Sequence, residues 1–400
     1  MLQTAQLPNG VHVISQRLAD RRSAALGVWL LNGVRHEHPH QAGYAHFLEH
    51  LLFKGCGALG ATALARRFDA MGGQVNAYTG RELTALHGLV PADDAPELLE
   101  LLTAMLLTPR FSEEDVRLER HVVSQEMAMV QDTPEEALEE QAVSRAWADH
   151  PLGRPILGTS DSIGSIDAAN MRAYLRDMLS GGRLWVVAVG DVDHDAMLAG
   201  CSALGNLPTG TAPATTAPRF DNGAHSMRLD SEQCHLQWLL PTAGIHDPDY
   251  YALLLANQLL GGGSASRLFQ QLRENLGLVY DIHTRLDLYS DAGLWLIQTA
   301  CDPDHAHLCR QAVTDTLTGL LRDGIAAQEM EIARRHLIAG LYLEQDDPEA
   351  TMERLAREAI YLDHHPDTAH RIAALHAVTP AQVTTVLAQR WTRHLHIHTG

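Results

Sequence analysis

The sequence predicts an α+β protein of two homologous domains, each a mostly antiparallel sheet packed against helices. Helical patterns are grouped in runs between separated strand patterns, which is typical of α+β domains rather than of a strand–helix–strand relay. A segment rich in Pro, Thr, Ala and Gly, residues 206–225, divides the 400 residues into two parts of similar size. We therefore expect a first domain at 1–205, a linker at 206–225 and a second domain at 226–400.

Apolar periodicity locates the elements of the first part. Stretches that are alternating or continuously apolar predict strands at Leu26–Leu31, Thr84–Val90 and Leu184–Val189. Helical periodicity predicts helices at Gly43–Phe53, Ala61–Met71, Asp94–Leu107, Glu113–Val130 and Pro134–Asp149. Ser112, followed by Asp115, forms a capping box ahead of the fourth of these helices, and Thr133 with Pro134 gives a cap and a first-turn proline for the fifth.

The second part repeats the beginning of the first. Each part has a strand-like stretch that ends in Trp-Leu-Leu, at Trp29 and at Trp238, followed by a polar loop and an apolar helix. Offsets of 17, 20 and 21 residues from Trp29 give His46, Glu49 and His50, whereas the same offsets from Trp238 give Leu255, Gln258 and Leu259. This register indicates a divergent duplication in which the first copy alone keeps a polar helix face.

Composition excludes several classes of protein. Asp and Glu outnumber Lys and Arg by 49 to 30, a formal net charge of −19, which argues against a nucleic acid or an anionic membrane surface as partner. The five cysteines are scattered without a C-x-x-C pair, so neither a disulfide framework nor a cysteine zinc site is expected. The N-terminus shows no signal-peptide pattern, and no apolar run reaches the roughly 20 residues of a spanning helix. We expect a cytoplasmic protein.

The chemistry-bearing pattern is His46-Phe-Leu-Glu49-His50, inside a predicted helix. At about 100° per residue, the three polar side chains share one helix face. Two imidazoles one turn apart can hold one zinc ion, and the carboxylate between them can reach a water on that ion. A catalytic zinc site needs a third protein ligand. Glu119 and Glu126, two turns apart among apolar neighbours on the long capped helix that follows Ser112, are both candidates, and physical grounds alone do not choose between them.

On these residues the chain resembles the pitrilysin family of zinc peptidases, the inverzincins, which are related to mitochondrial processing peptidase and have an H-x-x-E-H helix. Gly43–Gly55 is similar to the family's metal helix, and Gly72–Thr79 to the strand that lies beside bound peptide. Glu119–Glu126 is similar to the helix that completes the site, and Glu126 follows His50 by 76 residues, as in the family. Further matches are Leu7–Gly10, Pro151–Gly158 and Gly190–Asp193.

The resemblance implies roles for these residues. It implies one zinc ion per chain, held by His46, His50 and Glu126, with Glu49 as general base on the zinc-bound water. It makes Glu119 a supporting carboxylate of the catalytic set, and it places a peptide substrate along a sheet edge near Asn76 and Ala77. The implied activity is that of a zinc endopeptidase acting on peptides or unfolded precursor segments.

The second part resembles the family's pseudo-repeat domain. Arg273 and Tyr280, seven residues apart, match the Arg/Tyr pair that contacts substrate near the zinc. Because two domains are half of the family's four-domain clamshell, we expect a homodimer that encloses a chamber. In that dimer Arg273 and Tyr280 would reach the zinc site of the partner chain. Acidic residues lining the chamber would favour basic peptides.

Two other functions are compatible with parts of the sequence. The chain could be a non-catalytic subunit that supports another chain of a processing heterodimer, although the intact zinc pattern argues against this. A metal-buffering protein built on the 24 histidines is the other alternative. Of the surplus histidines, we expect His36, His38, His40, His364 and His365 to lie on polar loops, and His394, His396 and His398 on one face of a polar strand.

Overall fold

A computed structural model describes residues 2–229, 231–362 and 364–399. The chain forms two compact units, which are described separately below. The first unit comprises Met1–Ala128, Arg154–Ala214 and Glu344–His365, and the second comprises Met129–Gly153, Thr215–Leu343 and Pro366–Gly400. A division at residues 206–225 assigns two segments to the wrong unit. Residues 129–153 come from the first half of the sequence but belong to the second unit, and residues 344–365 come from the second half but belong to the first unit.

The strands of the first unit are β1 Leu2–Gln6, β2 His12–Arg17, β3 Ser23–Leu30, β4 Gly55–Cys56, β5 Leu59–Gly60, β6 Gln74–Thr79, β7 Thr84–Pro91 and β8 Leu184–Gly190. Its helices before β8 are α1 Tyr44–Leu52, α2 Ala61–Met71, α3 Ala95–Leu107, α4 Glu113–Asp132, α6 Ser160–Gly164 and α7 Ala168–Met178. The last residues of α4 belong to the second unit, and so does α5 Pro134–Ala146. After β8 come α8 His194–Gly200 and, much later in the chain, α12 Pro348–Tyr361.

Six described strands of the first unit form one sheet in the order β1-β2-β8-β3-β7-β6. All neighbours are antiparallel except β2 and β8, which are parallel. One face of this sheet packs on α1, α3 and α7 around Phe47, Leu98 and Met171. The other face, with Trp29 and Val187, is covered by Met352 and Leu355 of α12. Both faces of the sheet are therefore buried.

The second unit repeats this plan. Its strands are β9 Gly223–Met227, β10 Cys234–Thr242, β11 Val279–Leu288, β12 Gly293–Cys301 and β13 Leu395–Thr399. Its helices, besides α5, are α9 Tyr250–Gly261, a π-helical segment Phe269–Asn275, α10 Ala306–Asp323, α11 Ala327–Asp346, whose last residues enter the first unit, α13 Thr368–Ala377 and α14 Pro380–Trp391.

The described strands of this unit are ordered β11-β12-β10-β13-β9, and only the β13–β9 pair is parallel. This order and these directions match β6-β7-β3-β8-β2 of the first unit, strand for strand. One face packs on α9, α10 and α14, and the other on α5 through Leu138 and Val143. The duplication and the α+β class predicted from the sequence are confirmed.

The predicted elements agree with the structure to within a few residues. The Ser112 hydroxyl accepts the backbone N–H of Asp115 at 3.0 Å, as expected of a capping box. Thr133 is the N-cap residue of α5 and Pro134 lies in its first turn, as predicted, but the capping hydrogen bond was predicted wrongly, because the Thr133 hydroxyl donates to the Met129 carbonyl of the preceding helix. Within the described part of the chain, no helix is both long enough and apolar enough to cross a membrane.

Candidate metal centre

The metal-helix motif lies on α1, and local contacts fix where this helix begins. Gly43 stands immediately before α1 with φ of +85°, a left-handed conformation that suits glycine. The buried carboxylate of Glu37 accepts the backbone N–H groups of Gly43 and Ala45, at 3.0 and 2.8 Å. Phe47 and Leu48 are fully buried in the core. The remaining face of α1 therefore carries the polar side chains in a fixed direction.

His46 and His50 present their Nε2 atoms to Glu126 of α4. Each Nε2 lies 3.6 Å from one carboxylate oxygen of Glu126. One donor atom from each of the three residues lies within 4.8 Å of the other two. Two imidazoles and one carboxylate are a donor set that suits zinc. The residues present therefore fit the metal that the sequence motif implies.

Glu119 lies behind the metal-binding face. Its Oε1 is 2.8 Å from Nδ1 of His50, and its other oxygen contacts the Lys54 ammonium. Burial opposes the charged forms of both groups, but the His50–Glu119 hydrogen bond outweighs it, raising the pKa of His50 and, together with Lys54, lowering that of Glu119. With Nδ1 engaged, His50 offers Nε2 to a metal. The structure thus distinguishes Glu119 from Glu126, which the spacing of residues in the sequence left as equal candidates for the third ligand.

His46 is a neutral imidazole at pH 7. Burial lowers its pKa to about 4, and the nearby ring of His50 acts in the same direction. Metal ions bind the neutral imidazole, so at neutral pH binding at His46 does not have to displace a proton.

Glu49 faces the same side of α1 as the two histidines and is half-buried. Its Oε2 accepts a hydrogen bond of 2.6 Å from the Thr79 hydroxyl at the end of β6. Burial raises the pKa of the Glu49 carboxyl, although the Thr79 hydrogen bond opposes this shift. The carboxylate is therefore held by one hydroxyl beside the metal-binding group, as a proton-accepting group would need to be.

Comparison with known proteins agrees with this geometry. The sequence model described as insulinase (peptidase family M16) matches residues 12–160, and the model described as peptidase M16 inactive domain matches residues 165–337. An uncharacterized zinc protease of Mycobacterium tuberculosis is 35% identical over 389 residues, covering 95% of this chain and 88% of the relative. The chain belongs to peptidase family M16.

Other M16 relatives extend over the same length. An uncharacterized zinc protease of Bacillus subtilis is 30% identical over 393 residues, which cover 98% of this chain and 96% of that protein. Two crystal structures share the fold at a TM-score of 0.92: a peptidase M16 inactive domain from Pseudomonas fluorescens, at 21% identity, and a protease from Helicobacter pylori, at 20%. Each alignment covers all of this chain and at least 98% of the other.

Three residues that support the M16 site were missed in the sequence. Thr79 holds Glu49, Lys54 neutralises Glu119, and Glu37 binds the start of α1. The sequence offered a signal for Lys54, because it lies only four residues after His50, just beyond the end of α1. Thr79 and Glu37 reach the site through contacts between elements, which no local pattern reveals.

The predicted peptide-binding residues lie on β6, the last strand in the order of the first unit's sheet. Asn76 is exposed, and its Oδ1 accepts the backbone N–H of Ala77 at 2.9 Å. An added peptide strand would have to compete with this local hydrogen bond for the Ala77 N–H. The assignment of Asn76 and Ala77 to substrate binding stays a prediction.

Arg273 and Tyr280 lie together in the second unit. The Arg273 guanidinium carbon is 5.8 Å from the centre of the Tyr280 ring, a distance compatible with a cation–π contact. Tyr280 is 85% exposed and the Arg273 side chain 40%. Both side chains are therefore available to a ligand, and their role in binding substrate stays a prediction.

One expectation about the surplus histidines was wrong. The three C-terminal histidines do not share one strand face: His394 precedes β13 and stacks on Trp391, while His396 and His398 stack on each other. Sequence spacing does not reveal that β13 begins only at Leu395, after His394.

Proposed function

We propose that the chain is an active zinc-dependent endopeptidase that hydrolyses peptides or unfolded precursor segments. The observation that carries this proposal is the convergence of His46, His50 and Glu126 on one point, with the carboxylate of Glu49 on the same helix face. A protein that served only as a scaffold would gain nothing from bringing these partly buried polar groups together.

The proposed mechanism assigns a task to each side chain. Zinc, when bound by His46, His50 and Glu126, would supply Lewis acidity toward a peptide carbonyl and toward water. Glu49 takes a proton from the attacking water and returns it to the leaving amine. Thr79 orients Glu49 through its 2.6 Å hydrogen bond, and Glu119 fixes the ring of His50 through Nδ1. Peptide is proposed to add along β6 near Asn76 and Ala77.

Glu49→Gln tests the catalytic part of this proposal. The amide keeps the size of the side chain but accepts no proton, so peptide hydrolysis should fall by about 10²- to 10⁴-fold. Zinc content measured by atomic absorption should stay at about one ion per chain, because Glu49 is not among the three ligands. His50→Ala should instead lose both zinc and activity. Full hydrolysis by the Glu49→Gln protein would contradict the proposal.

We further propose a homodimer in which Arg273 and Tyr280 of one chain complete the site of its partner, enclosing a chamber. Tyr O–H and guanidinium N–H groups are suitable donors to a peptide carbonyl or a developing oxyanion. Mixing Glu49→Gln chains with Arg273→Ala chains tests this: in a shared-site dimer, one intact site per mixed dimer restores part of the activity. A monomeric active protein, or no recovery on mixing, would exclude shared sites.

The alternative function is a non-catalytic subunit. M16 also includes inactive members, and the sequence model of an inactive domain matches residues 165–337. The zinc-binding set lies outside that range, which favours activity. A peptide library incubated with the zinc-loaded protein, with and without chelator, decides between the two: products that disappear with chelator identify a peptidase. We also propose a cytoplasmic location, since all five cysteines are free thiols.

A further inference from the structure

Lysine occurs only once in the chain. Of the 30 Lys and Arg residues, 29 are Arg and the remaining one is Lys54. Lys54 follows the last residue of α1 by two positions, and its backbone N–H donates to the Leu51 carbonyl at 3.0 Å. Because Lys and Arg carry the same charge, charge alone does not account for a lysine at this one position. The lysine must be explained by what an ammonium, in contrast to a guanidinium, contacts beside the metal-binding helix.

Lys54 is one of two residues that bind the carboxylate of Glu119. The Glu119 side chain is 5% exposed, with Oε1 2.8 Å from Nδ1 of His50 and Oε2 in contact with the Lys54 ammonium. Within the described part of the chain, no other cationic side chain lies within ion-pair distance of Glu119. Each oxygen of the carboxylate thus has its own partner. Lys54 balances the buried charge without occupying the oxygen that orients His50.

Arginine binds carboxylates in a different way in two ion pairs of this chain. The Nε and Nη2 groups of Arg117 donate to different oxygens of Glu114, at 3.0 and 2.7 Å. Arg267 binds both oxygens of Glu329 in the same manner, at 2.9 and 2.8 Å. A guanidinium presents a planar fork of N–H groups that suits both oxygens at once, whereas an ammonium is a compact point charge. A guanidinium at position 54 would therefore compete for the second carboxylate oxygen.

We propose that Lys54 is a positioning residue of the metal centre, which holds Glu119 through one oxygen and so leaves the other oxygen to orient His50. In this arrangement the ring proton of His50 stays on Nδ1, and Nε2 is left for the metal. An Arg at the same position binds both oxygens of Glu119 and displaces Nδ1 of His50. The inference rests on the proposed function only for the metal, since neither the orientation of His50 nor zinc binding requires hydrolysis.

The experiment exchanges the single lysine and measures three properties. Lys54→Arg keeps the charge, and Lys54→Met removes it while keeping much of the side-chain length. Arg117→Lys is the matched control, because it exchanges the same two residue types in an exposed ion pair of α4. Competition against a zinc-chelating dye gives the zinc affinity, and thermal unfolding without zinc gives the stability. Nitrogen-15 NMR of histidine-labelled, metal-free protein gives the tautomer of His50, whose signals are absent from His50→Ala.

Both variants of Lys54 should bind zinc about 10- to 100-fold more weakly, the loss typical when a group that orients a metal ligand is removed. Their stabilities should differ. Lys54→Met leaves a buried carboxylate without a cation and lowers the midpoint of thermal unfolding, whereas Lys54→Arg keeps an ion pair and leaves the midpoint near that of the unchanged protein. Arg117→Lys should change neither property. A residue that served stability alone would tolerate Arg, so unchanged zinc affinity in Lys54→Arg overturns the proposal.

Chemical restoration of the ammonium provides a test that does not depend on how Lys54→Arg folds. In Lys54→Cys, the thiolate displaces bromide from 2-bromoethylamine, which yields a side chain of nearly the length of lysine with a terminal ammonium. The five natural cysteines are buried, and the unchanged protein treated in the same way is the control. Zinc affinity that rises after treatment supports the proposal, and affinity that stays low overturns it.

The tautomer of His50 separates this proposal from the peptidase activity. In the metal-free protein the ring proton should lie on Nδ1, and in Lys54→Arg part of it should move to Nε2, because Nδ1 has lost its acceptor. The same tautomer in both proteins overturns the proposal, even where neither protein binds zinc. Tight zinc binding that depends on Lys54, without any hydrolysis of peptides, supports the role of Lys54 and contradicts the peptidase.

Discussion

Two glutamates on one helix illustrate what decides a role at the scale of single residues. Glu119 and Glu126 are both two-turn neighbours on α4, but their side chains are 5% and 40% exposed. Glu126 faces both Nε2 atoms, whereas Glu119 is enclosed between His50 and Lys54. The two glutamates differ because of how α4 packs against α1. The spacing of residues within α4 alone therefore cannot predict which glutamate faces the metal-binding group.

Glu119→Gln should weaken zinc binding without removing a ligand. The amide cannot match the charge of a carboxylate toward His50 and Lys54, and loss of such supporting contacts typically costs 10- to 100-fold in metal affinity. Competition against a zinc-chelating dye measures the effect. Glu114→Gln is the control, because Glu114 lies on the same helix, is exposed and pairs with Arg117. Unchanged affinity in Glu119→Gln would show that His50 is oriented by other contacts.

At the scale of elements, the start of α1 determines where the metal ligands point. Gly43 has no room for a side chain, since a Cβ there would lie 2.6 Å from the Leu157 carbonyl oxygen and 2.8 Å from Gly158. Gly60 also precedes a helix, α2, but its φ is −82° and no atom lies within 4 Å of a Cβ built there. Substitution of Gly60 therefore serves as a control for substitution of Gly43, because both residues precede a helix but only Gly43 lacks room for a side chain.

Gly43→Ala should destabilise the protein by more than about 1 kcal/mol, because an L residue in the left-handed region costs about that much before any clash is counted. Zinc affinity should fall as well, since the first turn of α1 must shift. Gly60→Ala should leave zinc binding intact, and because Gly60 is the N-cap of α2, where Ala is less favoured than Gly, it should destabilise the protein by at most about 1 kcal/mol. Urea unfolding and metal competition on both variants provide the measurement, and equal effects of the two changes would contradict this account of Gly43.

Much of the architecture could be predicted from local patterns. The helices α1 and α4 and the strand β3 follow from apolar periodicity, and the His46–His50 face follows from helical geometry. Contacts between elements could not be predicted in this way. The hydrogen bond from Thr79 to Glu49 and the opposed positions of Cys234 and Cys301 join residues that are far apart in the sequence. Glu37 is only six residues from Gly43, but its contact with α1 depends on the path of the intervening loop.

At the scale of the whole molecule, two segments are exchanged between the halves of the chain: residues 129–153 pack in the second unit and residues 344–365 in the first. Both sheets bury two faces, and for each sheet the second face is covered by a helix from the other half of the chain: α12 for the first unit and α5 for the second. Met352, Leu355 and Ala356 of α12 are at most 1% exposed, and Leu138 and Val143 of α5 at most 3%. A prediction of domains from sequence that places one boundary in the linker cannot detect this exchange.

The exchange predicts that the two halves of the chain stay together when the connection between them is cut. A protease recognition sequence inserted between Ala214 and Thr215 lies in an exposed segment without helix or strand. After cleavage the fragments should co-elute in size exclusion, because each carries a helix that completes the core of a unit formed mainly by the other. Leu355→Ala should promote dissociation, since truncating a buried Leu costs about 2–5 kcal/mol, whereas Leu343→Ala, at a position 69% exposed, should not. Separation of the unmodified halves in the absence of denaturant would show that α5 and α12 contribute too little to hold them.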